Sequence, residues 1–210
     1  MGSSSEKKMK DAWLSGKVCL HPTDTLPGLS FNPNSEQAWR RLSKIKKRDE
    51  SKTCISLVAS LDFALGFWRD LPGVWSRVLA DLWPSSLSVI WQANNTCPKT
   101  LVRESGTVAF RCPPLLPQNQ WLLTLIESVG SPFPTTSVNC SGEPAANDFG
   151  AANHFLDGLE GVYIPEEFEV PGGQASTLIE IFDDSSFRIH RPGPCSEGAI
   201  KEALKRHGTI

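Results

Sequence analysis

The sequence predicts a single α/β domain in which a twisted, mixed parallel/antiparallel sheet is flanked by helices. Three observations support this prediction. Strand-like apolar runs alternate with helical patterns along the chain, two strand-like runs follow each other directly near the carboxyl end, and 210 residues suffice for one sizeable core. Interleaved strands and helices are typical of layered α/β domains, and the hairpin-like pair of strands makes the sheet mixed.

The first half of the chain contains four clear signals. Residues 18–21 form an apolar run that Pro22 ends, which predicts a strand. From Asn34, which we interpret as a helix cap, apolar residues fall at helical spacing until the basic segment KIKKRDESK. Residues 54–60 are predicted to form the next strand, and residues 61–68 a short helix.

The second half alternates in the same way. Helical spacing of apolar residues predicts helices, and runs of β-branched and aromatic residues predict strands. The segment 140–153 is rich in loop-forming residues and is predicted to be mobile. The predicted helices cover residues 74–83, 120–130 and the carboxyl-terminal segment from Ser196, and the predicted strands cover residues 87–93, 107–112, 176–182 and 186–191.

Composition and sequence patterns indicate the extent of the domain, its cellular compartment and the partners that it does not favour. The first ten residues, MGSSSEKKMK, are polar and are expected to be disordered or vector-derived, which leaves 11–210 as the single domain. No apolar run approaches the roughly 20 residues of a membrane span. The net charge of −2 does not favour nucleic acid or an anionic membrane as a partner of the whole surface. Six singly scattered cysteines predict free thiols in a reducing, cytoplasmic compartment.

Polar side chains collect at predicted strand ends, where open α/β sheets bind their ligands. The turn after the first strand contains Thr23 and Asp24, Arg111 ends an apolar strand, and the segment TTSVNCSG is rich in hydroxyls. Each feature alone also has a structural explanation, because turn hydroxyls satisfy backbone groups and an arginine pairs with a core carboxylate. Together with Lys46 and Arg48 they indicate a site for an anionic small molecule.

The common signatures of nucleotide binding and hydrolysis are missing from the sequence. It contains no GxxxxGK[ST], no GxGxxG after a strand, no GxSxG and no HExxH. The basic cluster also has an alternative explanation, because positive charge at the carboxyl end of a helix stabilises the helix dipole. An enzyme with this sequence would work without an obvious nucleophile or a protein-held metal.

Seven short segments follow one another between residues 11 and 194: PTDTLPGL, KIKKR, WPSSLSVI, VAFRCP, TTSVNCSG, AST and RPG. In this order they resemble the YrdC-like family of threonylcarbamoyl-AMP synthases, with PTDTVYGL, KxR, WPGPLT, VRxP, TSANxSG, ST and RPG. The chain differs at four positions. Pro27 replaces the usual tyrosine, Ser85 and Ser88 replace glycine and threonine in WPGPLT, and Leu57 stands where many members have histidine.

The resemblance implies a fold and an activity. The fold is a twisted α/β sheet with a concave, basic ligand face. The activity is ATP-dependent synthesis of threonylcarbamoyl-AMP from L-threonine and bicarbonate or CO2, with release of pyrophosphate, for the t6A modification of tRNA. Mg²⁺ is implied on the ATP phosphates rather than on protein ligands. The other implied partners are the threonylcarbamoyl transferase proteins that act next, and tRNA.

The resemblance also implies the roles of individual residues. The implied L-threonine ligands are Thr25, Arg111, Ser137, Ser176 and Thr177. The implied ATP ligands are Lys46, Arg48, Lys52, Thr107, Asn139, Asn147 and Arg191, and the implied catalytic residues are Lys46, Arg48, Ser137 and Asn139.

Two other functions stay open at the level of sequence. The chain could be a diverged relative that uses another carbamoyl-adenylate, in which the phosphate-binding residues are kept and the amino-acid pocket is changed. It could also be a module that binds tRNA or double-stranded RNA. Salt separates the last option from an enzyme, because binding to RNA phosphates weakens steeply with salt concentration and a closed ATP site depends on it less.

Overall fold

A computed structural model of the chain describes residues 3–49, 53–114, 120–170 and 172–208. Within these ranges helices and strands alternate, which confirms the predicted α/β class. The helices are α1 (Ser3–Leu14), α2 (Glu36–Ile45), α3 (Leu61–Leu65), α4 (Gly73–Leu82), α5 (Gln120–Val129), α6 (Phe149–Leu156) and α7 (Glu197–His207), with a 3₁₀ helix at Lys99–Leu101. The strands are β1 (Val18–His21), β2 (Gly28–Ser30), β3 (Ile55–Leu57), β4 (Leu87–Gln92), β5 (Thr107–Arg111), β6 (Phe133–Ser137), β7 (Val162–Tyr163), β8 (Thr177–Ile181) and β9 (Phe187–Arg191).

The strands form one mixed sheet in the order β7-β1-β2-β6-β3-β5-β4-β8-β9. The pairs β1/β7, β3/β5 and β4/β8 are parallel, and the other neighbouring pairs are antiparallel. The predicted single domain with a mixed sheet and flanking helices is therefore confirmed. No helix in the described part of the chain is long and apolar enough to cross a membrane, and the six cysteines have free thiols, as predicted.

Capping residues set where several helices begin. α2 starts after Ser35, whose hydroxyl accepts a hydrogen bond from the backbone N–H of Ala38 at 3.2 Å. The prediction of Asn34 as the cap was therefore wrong by one residue. At the other end of the chain, Ser196 caps α7 as predicted, because its hydroxyl accepts from the backbone N–H of Ala199.

Helices pack on both faces of the sheet, and successive strand residues alternate between these faces. On one face the helices α2, α4, α6 and α7 pack on residues such as Leu29, Phe110 and Ile179. On the other face α1 and α5 pack on Leu57 and Phe133. The two faces thus have separate apolar cores.

The helices α1 and α5 leave part of their face uncovered. Ile55 lies two residues before Leu57, and Thr135 lies two residues after Phe133, so both point to the same side as those buried residues. Arg111 is the register partner of Leu57 and belongs to this side as well. The uncovered part of this face is where the predicted polar residues meet.

The amino-terminal segment differs from the predicted disorder. Residues 3–10 belong to α1, and Met9 is fully buried in the core that α1 shares with α5. Met9 and Trp13 are four residues apart and share one helix face, a short signal hidden among lysines and serines. The predicted boundary at residue 11 and a vector origin stay predictions.

The segment 140–153 is also more ordered at its end than predicted. Asp148 caps α6 by accepting a hydrogen bond at 2.7 Å from the backbone N–H of Ala151, and Ala152 is fully buried. The helix therefore begins at residue 149, inside the segment 140–153 whose composition predicts a loop. The mobility of the preceding residues stays a prediction.

Candidate functional site

A cavity of about 460 Å³ opens on the uncovered part of the sheet face. Small-molecule sites have volumes of about 300–1,000 Å³, so this cavity, which we call the sheet pocket, is large enough for a small molecule. Its wall combines the turn before β2 with residues of β2, β3, β5, β6, β8 and β9. Six of the residues predicted for the site line it: Thr25, Arg111, Ser137, Asn139, Ser176 and Arg191.

The turn between β1 and β2 is held by one hydroxyl. Thr23 Oγ1 donates to the carbonyl of Leu26 at 2.8 Å and accepts from the backbone N–H groups of Thr25 and Leu26. The structural explanation of this turn therefore applies to Thr23, whose hydroxyl satisfies backbone groups. The result is a fixed turn whose next residues, Thr25 and Pro27, line the sheet pocket.

Arg111 enters the pocket wall from the end of β5 and is paired with Asp24. Its guanidinium Nη2 lies 2.8 Å from Asp24 Oδ1, and Ser86 donates a hydrogen bond to Asp24 Oδ2 at 2.8 Å. Burial lowers the pKa of Arg111, and the charge of Asp24 opposes this change. The buried Nε–H of Arg111 has no hydrogen-bond partner among the described residues, while the residue itself lines the sheet pocket.

Arg191 and Ser176 form a second polar group of the pocket wall. Arg191 donates through Nε to the carbonyl of Ser176 at 3.0 Å and through Nη2 to its hydroxyl at 3.2 Å. The Ser176 hydroxyl also contacts the hydroxyl of Ser88 at 2.8 Å. Burial, followed by the nearby charge of Arg111, lowers the pKa of Arg191, so the two arginines bring positive charge close together at one cavity.

Lys46 lies behind the wall rather than in it. Its ammonium donates to the carbonyl of Ser137, to the carbonyl of Asn139 at 3.1 Å and to Asn139 Oδ1 at 2.8 Å. An ammonium group has three hydrogens, and all of them are used here. Burial, and then the charge of Arg48, lowers the pKa of Lys46 to about 8. Lys46 thus positions the Ser137–Asn139 segment, in which the Ser137 hydroxyl donates to Asn139 Oδ1 at 2.7 Å.

Arg48 also lies outside the pocket wall. Its Nη2 donates to Cys54 Sγ at 3.0 Å, and its guanidinium stacks over Trp39 at 5.0 Å from the ring centre. The structure therefore places Arg48 beside Cys54, which does line the pocket. Lys52, the third residue predicted to contact the ATP phosphates, lies outside the described residues.

Three further predicted ligands are not brought into the wall. Thr107 is at the opposite end of β5 from Arg111, and its hydroxyl contacts Ser105 at 2.8 Å. Asn147 is exposed in the segment before α6. Thr177 is buried on the other face of β8 from Ser176, because neighbouring strand residues alternate, and its hydroxyl donates to the carbonyl of Cys195.

The pocket also contains residues that were not among the predicted ligands. Thr135 and Thr136 belong to the hydroxyl-rich segment TTSVNCSG, Glu143 belongs to the loop-forming segment 140–153, and Arg103 belongs to no motif. Arg103 stands in a turn closed by a hydrogen bond from the Gly106 N–H to its carbonyl, and in sequence it looks like an ordinary exposed turn residue. Only the fold brings it to the cavity.

The ionisable groups of the wall favour an anion. Arg103, Arg111 and Arg191 line the pocket, and Glu143 is the carboxylate among its lining residues. In the part of the chain that the structure describes, no group of three or more His, Cys, Asp and Glu side chains could hold a metal ion. The wall therefore suits a ligand with carboxylate or phosphate groups. A basic character of the whole concave face stays a prediction.

Comparison with known proteins gives matches along most of the chain. The family model Sua5/YciO/YrdC, described as telomere recombination, matches residues 11–193. A threonylcarbamoyl-AMP synthase of Baumannia cicadellinicola is 32% identical over 161 residues, which cover 72% of this chain and 79% of that protein. A threonylcarbamoyl-AMP synthase of Pseudoalteromonas translucida is 27% identical over 177 residues, 82% of this chain and 91% of that protein.

Two solved structures are similar in fold. The crystal structure of Pyrococcus abyssi Sua5 complexed with L-threonine matches with a TM-score of 0.81 and 25% identity, over 94% of this chain and 57% of that one. The chain therefore spans little more than half of that protein. The crystal structure of E. coli YciO matches with a TM-score of 0.75 and 19% identity, over 90% of this chain and 88% of that one. Since the family model spans nearly the whole described chain, the protein belongs to the Sua5/YciO/YrdC family.

Proposed function

We propose that this chain is an L-threonylcarbamoyladenylate synthase. It joins L-threonine and bicarbonate or CO2 to the AMP part of ATP and releases pyrophosphate. The observation that carries the proposal is the convergence of two arginines, Arg111 and Arg191, with hydroxyl and amide side chains at one cavity. Two curated relatives with this activity in their names, and the similarity to a structure complexed with L-threonine, support it.

The proposed amino-acid subsite is the part of the pocket around Arg111. Arg111 binds the threonine carboxylate from the pocket wall, because a guanidinium is a strong hydrogen-bond donor to a carboxylate. Thr25 and Ser176 supply hydroxyls at the same cavity for the polar side chain of the substrate. Pro27 leaves this wall without the hydroxyl that the family tyrosine would bring.

The proposed nucleotide subsite involves Asn139, Arg191 and Arg103. Arginine side chains match phosphate oxygens with two parallel hydrogen bonds, and Arg103 adds a third guanidinium to the wall. Arg48, which lies beside Cys54, and Lys52 remain proposed phosphate ligands. Lys46 takes part indirectly, because it holds the Ser137–Asn139 segment in place.

The chemistry that follows needs positioning and charge stabilisation. The threonine amine forms a carbamate, and a carbamate oxygen attacks the α-phosphorus of ATP while pyrophosphate leaves. Both reactants are anionic, so fixed guanidinium groups reduce their repulsion. Holding the two reactants together contributes an effective molarity of up to about 10⁵–10⁸ M. Mg²⁺ is bound mainly by the phosphates of ATP, and no covalent enzyme intermediate is needed.

The product defines the proposed partners. Threonylcarbamoyl-AMP is a reactive mixed anhydride, so a threonylcarbamoyl transferase protein must take it up for the t6A modification of tRNA. We propose that the protein works in the cytoplasm, where tRNA, ATP and reduced cysteines occur together. A direct contact with tRNA is part of the proposal only as a transient step.

Pyrophosphate release from MgATP and bicarbonate tests this function. L-threonine, L-serine, glycine or no amino acid is added to the purified chain. We expect release that depends on L-threonine. Release with another amino acid would give a different carbamoyl-adenylate, and binding of tRNA that weakens steeply with salt, without pyrophosphate release, would identify an RNA-binding module.

The strand β9 offers a matched pair of variants for this assay. Arg191 lines the pocket, whereas Arg188 on the same strand is exposed and stacks on Phe182. We expect Arg191→Ala to reduce threonine-dependent release and Arg188→Ala to retain it. Equal activity of the two variants would contradict the proposed nucleotide subsite.

A further inference from the structure

His21 and Thr135 are joined across an intervening strand of the sheet. His21 ends β1 and Thr135 lies on β6, with β2 between them. The two residues still meet, because His21 Nε2 lies 3.0 Å from Thr135 Oγ1. Strands are about 4.8 Å apart, so the imidazole spans the width of β2.

Gly28 makes this span possible. It is the register partner of His21 on β2, and a Cβ at this position would lie 2.6 Å from both His21 Nε2 and Thr135 Oγ1. Any side chain would therefore occupy the place of the hydrogen bond. Gly28 does not have a left-handed backbone conformation. Glycine is therefore required at this position because of the lack of space for a side chain.

The hydrogens of this pair can be assigned from its surroundings. His21 Nδ1 lies 2.9 Å from the carbonyl of Pro22, which only accepts, so Nδ1 carries a hydrogen. The ring is fully buried and stands edge-on to Phe133 at 5.1 Å. Burial lowers the pKa of His21 to about 4, so the ring is neutral at neutral pH and Nε2 has no hydrogen. The hydroxyl of Thr135 must therefore donate to Nε2.

We propose that His21 is a positioning residue that fixes Thr135 as a hydrogen-bond acceptor for the amino group of the substrate. Thr135 lines the sheet pocket, and its single hydroxyl hydrogen points to His21, so its lone pairs remain for the ligand. Arg111 supplies the donor for a carboxylate in the same cavity. An α-amino acid has both groups, and its nitrogen keeps an N–H in the carbamate.

The identity of the ligand in this inference rests on the proposed function. The direction of the hydrogen bond between Thr135 and His21 does not depend on it. Ring nitrogen NMR of ¹⁵N-histidine-labelled protein measures the direction, and His21→Gln identifies the signals of His21. Around neutral pH we expect a hydrogen on Nδ1, a bare Nε2, and a shift of the Nε2 signal in Thr135→Val. A hydrogen on Nε2, or no shift in that variant, would overturn the inference.

Binding of L-threonine, measured by calorimetry, tests the role of Thr135. Thr135→Val removes the hydroxyl at nearly constant shape, and we expect about 10- to 100-fold weaker binding, as for a lost hydrogen bond to a charged group. Thr135→Ser keeps the acceptor and should restore binding, and the exposed Thr124→Val serves as the control. The affinity for 3-hydroxybutyrate, which lacks the nitrogen, should be the same in wild type and Thr135→Val.

The outcomes separate this inference from the proposed function. If wild type does not bind L-threonine, the proposed function fails, whatever the state of His21. If wild type binds it and Thr135→Val binds it equally well, only the inference fails. Equal weakening of L-threonine and 3-hydroxybutyrate in Thr135→Val would also overturn it, because the effect would then not involve the amino group.

Discussion

Asp24 holds one edge of the Arg111 guanidinium in a pair that is almost completely shielded from water. Arg111 Nη2 is 2.8 Å from Asp24 Oδ1, and the two side chains are 4% and 2% exposed. Asp24 takes the Nη edge, and the buried Nε–H has no hydrogen-bond partner among the described residues. In the sequence Asp24 belongs to the polar turn predicted to contribute to a ligand site, and pairing of Arg111 with a core carboxylate is the alternative that the structure shows.

Asp24→Asn tests this pairing. The substitution keeps the shape but removes the charge that compensates Arg111, so the free energy of unfolding should fall by about 3–5 kcal/mol, the usual cost of breaking a buried ion pair. The KM for L-threonine should rise, because the guanidinium is no longer fixed. Urea unfolding and pyrophosphate-release kinetics measure the two effects. The exposed Asp184→Asn is the control, and equal stability of both variants would contradict the prediction.

Lys46→Met tests whether Lys46 acts through the Ser137–Asn139 segment. All three ammonium hydrogens bond to that segment, so its loss should disturb both subsites. We expect kcat/KM to fall about 10- to 100-fold for ATP and for L-threonine alike, as for the loss of a charge-assisted hydrogen bond. The exposed Lys44→Met on α2 is the matched control. An effect confined to the KM for ATP would instead make Lys46 a direct phosphate ligand.

Local sequence signals account for much of the fold. The first strand was predicted at residues 18–21 and forms there, because an apolar run ended by proline leaves few alternatives. Short or polar elements were not assigned: β2 has three residues and β7 has two, and their pairing depends on neighbouring strands. α1 was missed because its buried face reduces to a few apolar residues among polar ones.

The residues of the site likewise divide into those that the sequence predicts and those that it does not. Residues in distinctive motifs, such as Arg111 and Ser137, were found because a charged or hydroxyl-rich strand end needs a partner. Arg103 could not be found, since its position in the wall depends on how the chain folds after the 3₁₀ helix. The hydrogen-bond partners of Lys46 could not be predicted either. A lysine that binds phosphate and a lysine that binds backbone carbonyls look the same in a sequence.

Gly193→Ala tests the role of the glycine in the RPG segment. A Cβ at Gly193 would lie 2.4 Å from the backbone N of Thr177 and 2.5 Å from the carbonyl oxygen of Ala175, and backbone atoms cannot move aside easily. The free energy of unfolding should fall by about 1–3 kcal/mol, as for overpacking, and activity should fall because Ser176 and Arg191 lose their register. Gly198→Ala on α7 meets nothing closer than 3.8 Å and should be neutral or slightly stabilising. Similar unfolding curves for the two variants would contradict this explanation.

The titration of His21 makes the free energy of unfolding depend on pH. Burial lowers its pKa from 6.5 to about 4, so between these values the unfolded chain binds a proton that the folded chain does not. Stability from this group is therefore fully present above pH 6.5 and is lost as the pH falls towards 4. The difference between the two pKa values corresponds to about 3 kcal/mol.

His21→Gln separates this effect from the titration of the carboxylates. Glutamine keeps a donor for the Pro22 carbonyl and an acceptor for Thr135 but does not titrate. Urea unfolding at neutral and at acidic pH should show a smaller acid-induced loss of stability in His21→Gln than in wild type. The exposed His154→Gln should lose as much stability as wild type. An unchanged acid dependence in His21→Gln would mean that the buried imidazole already accepts a proton in the folded protein, and the assigned direction of its bond with Thr135 would then not hold at acidic pH.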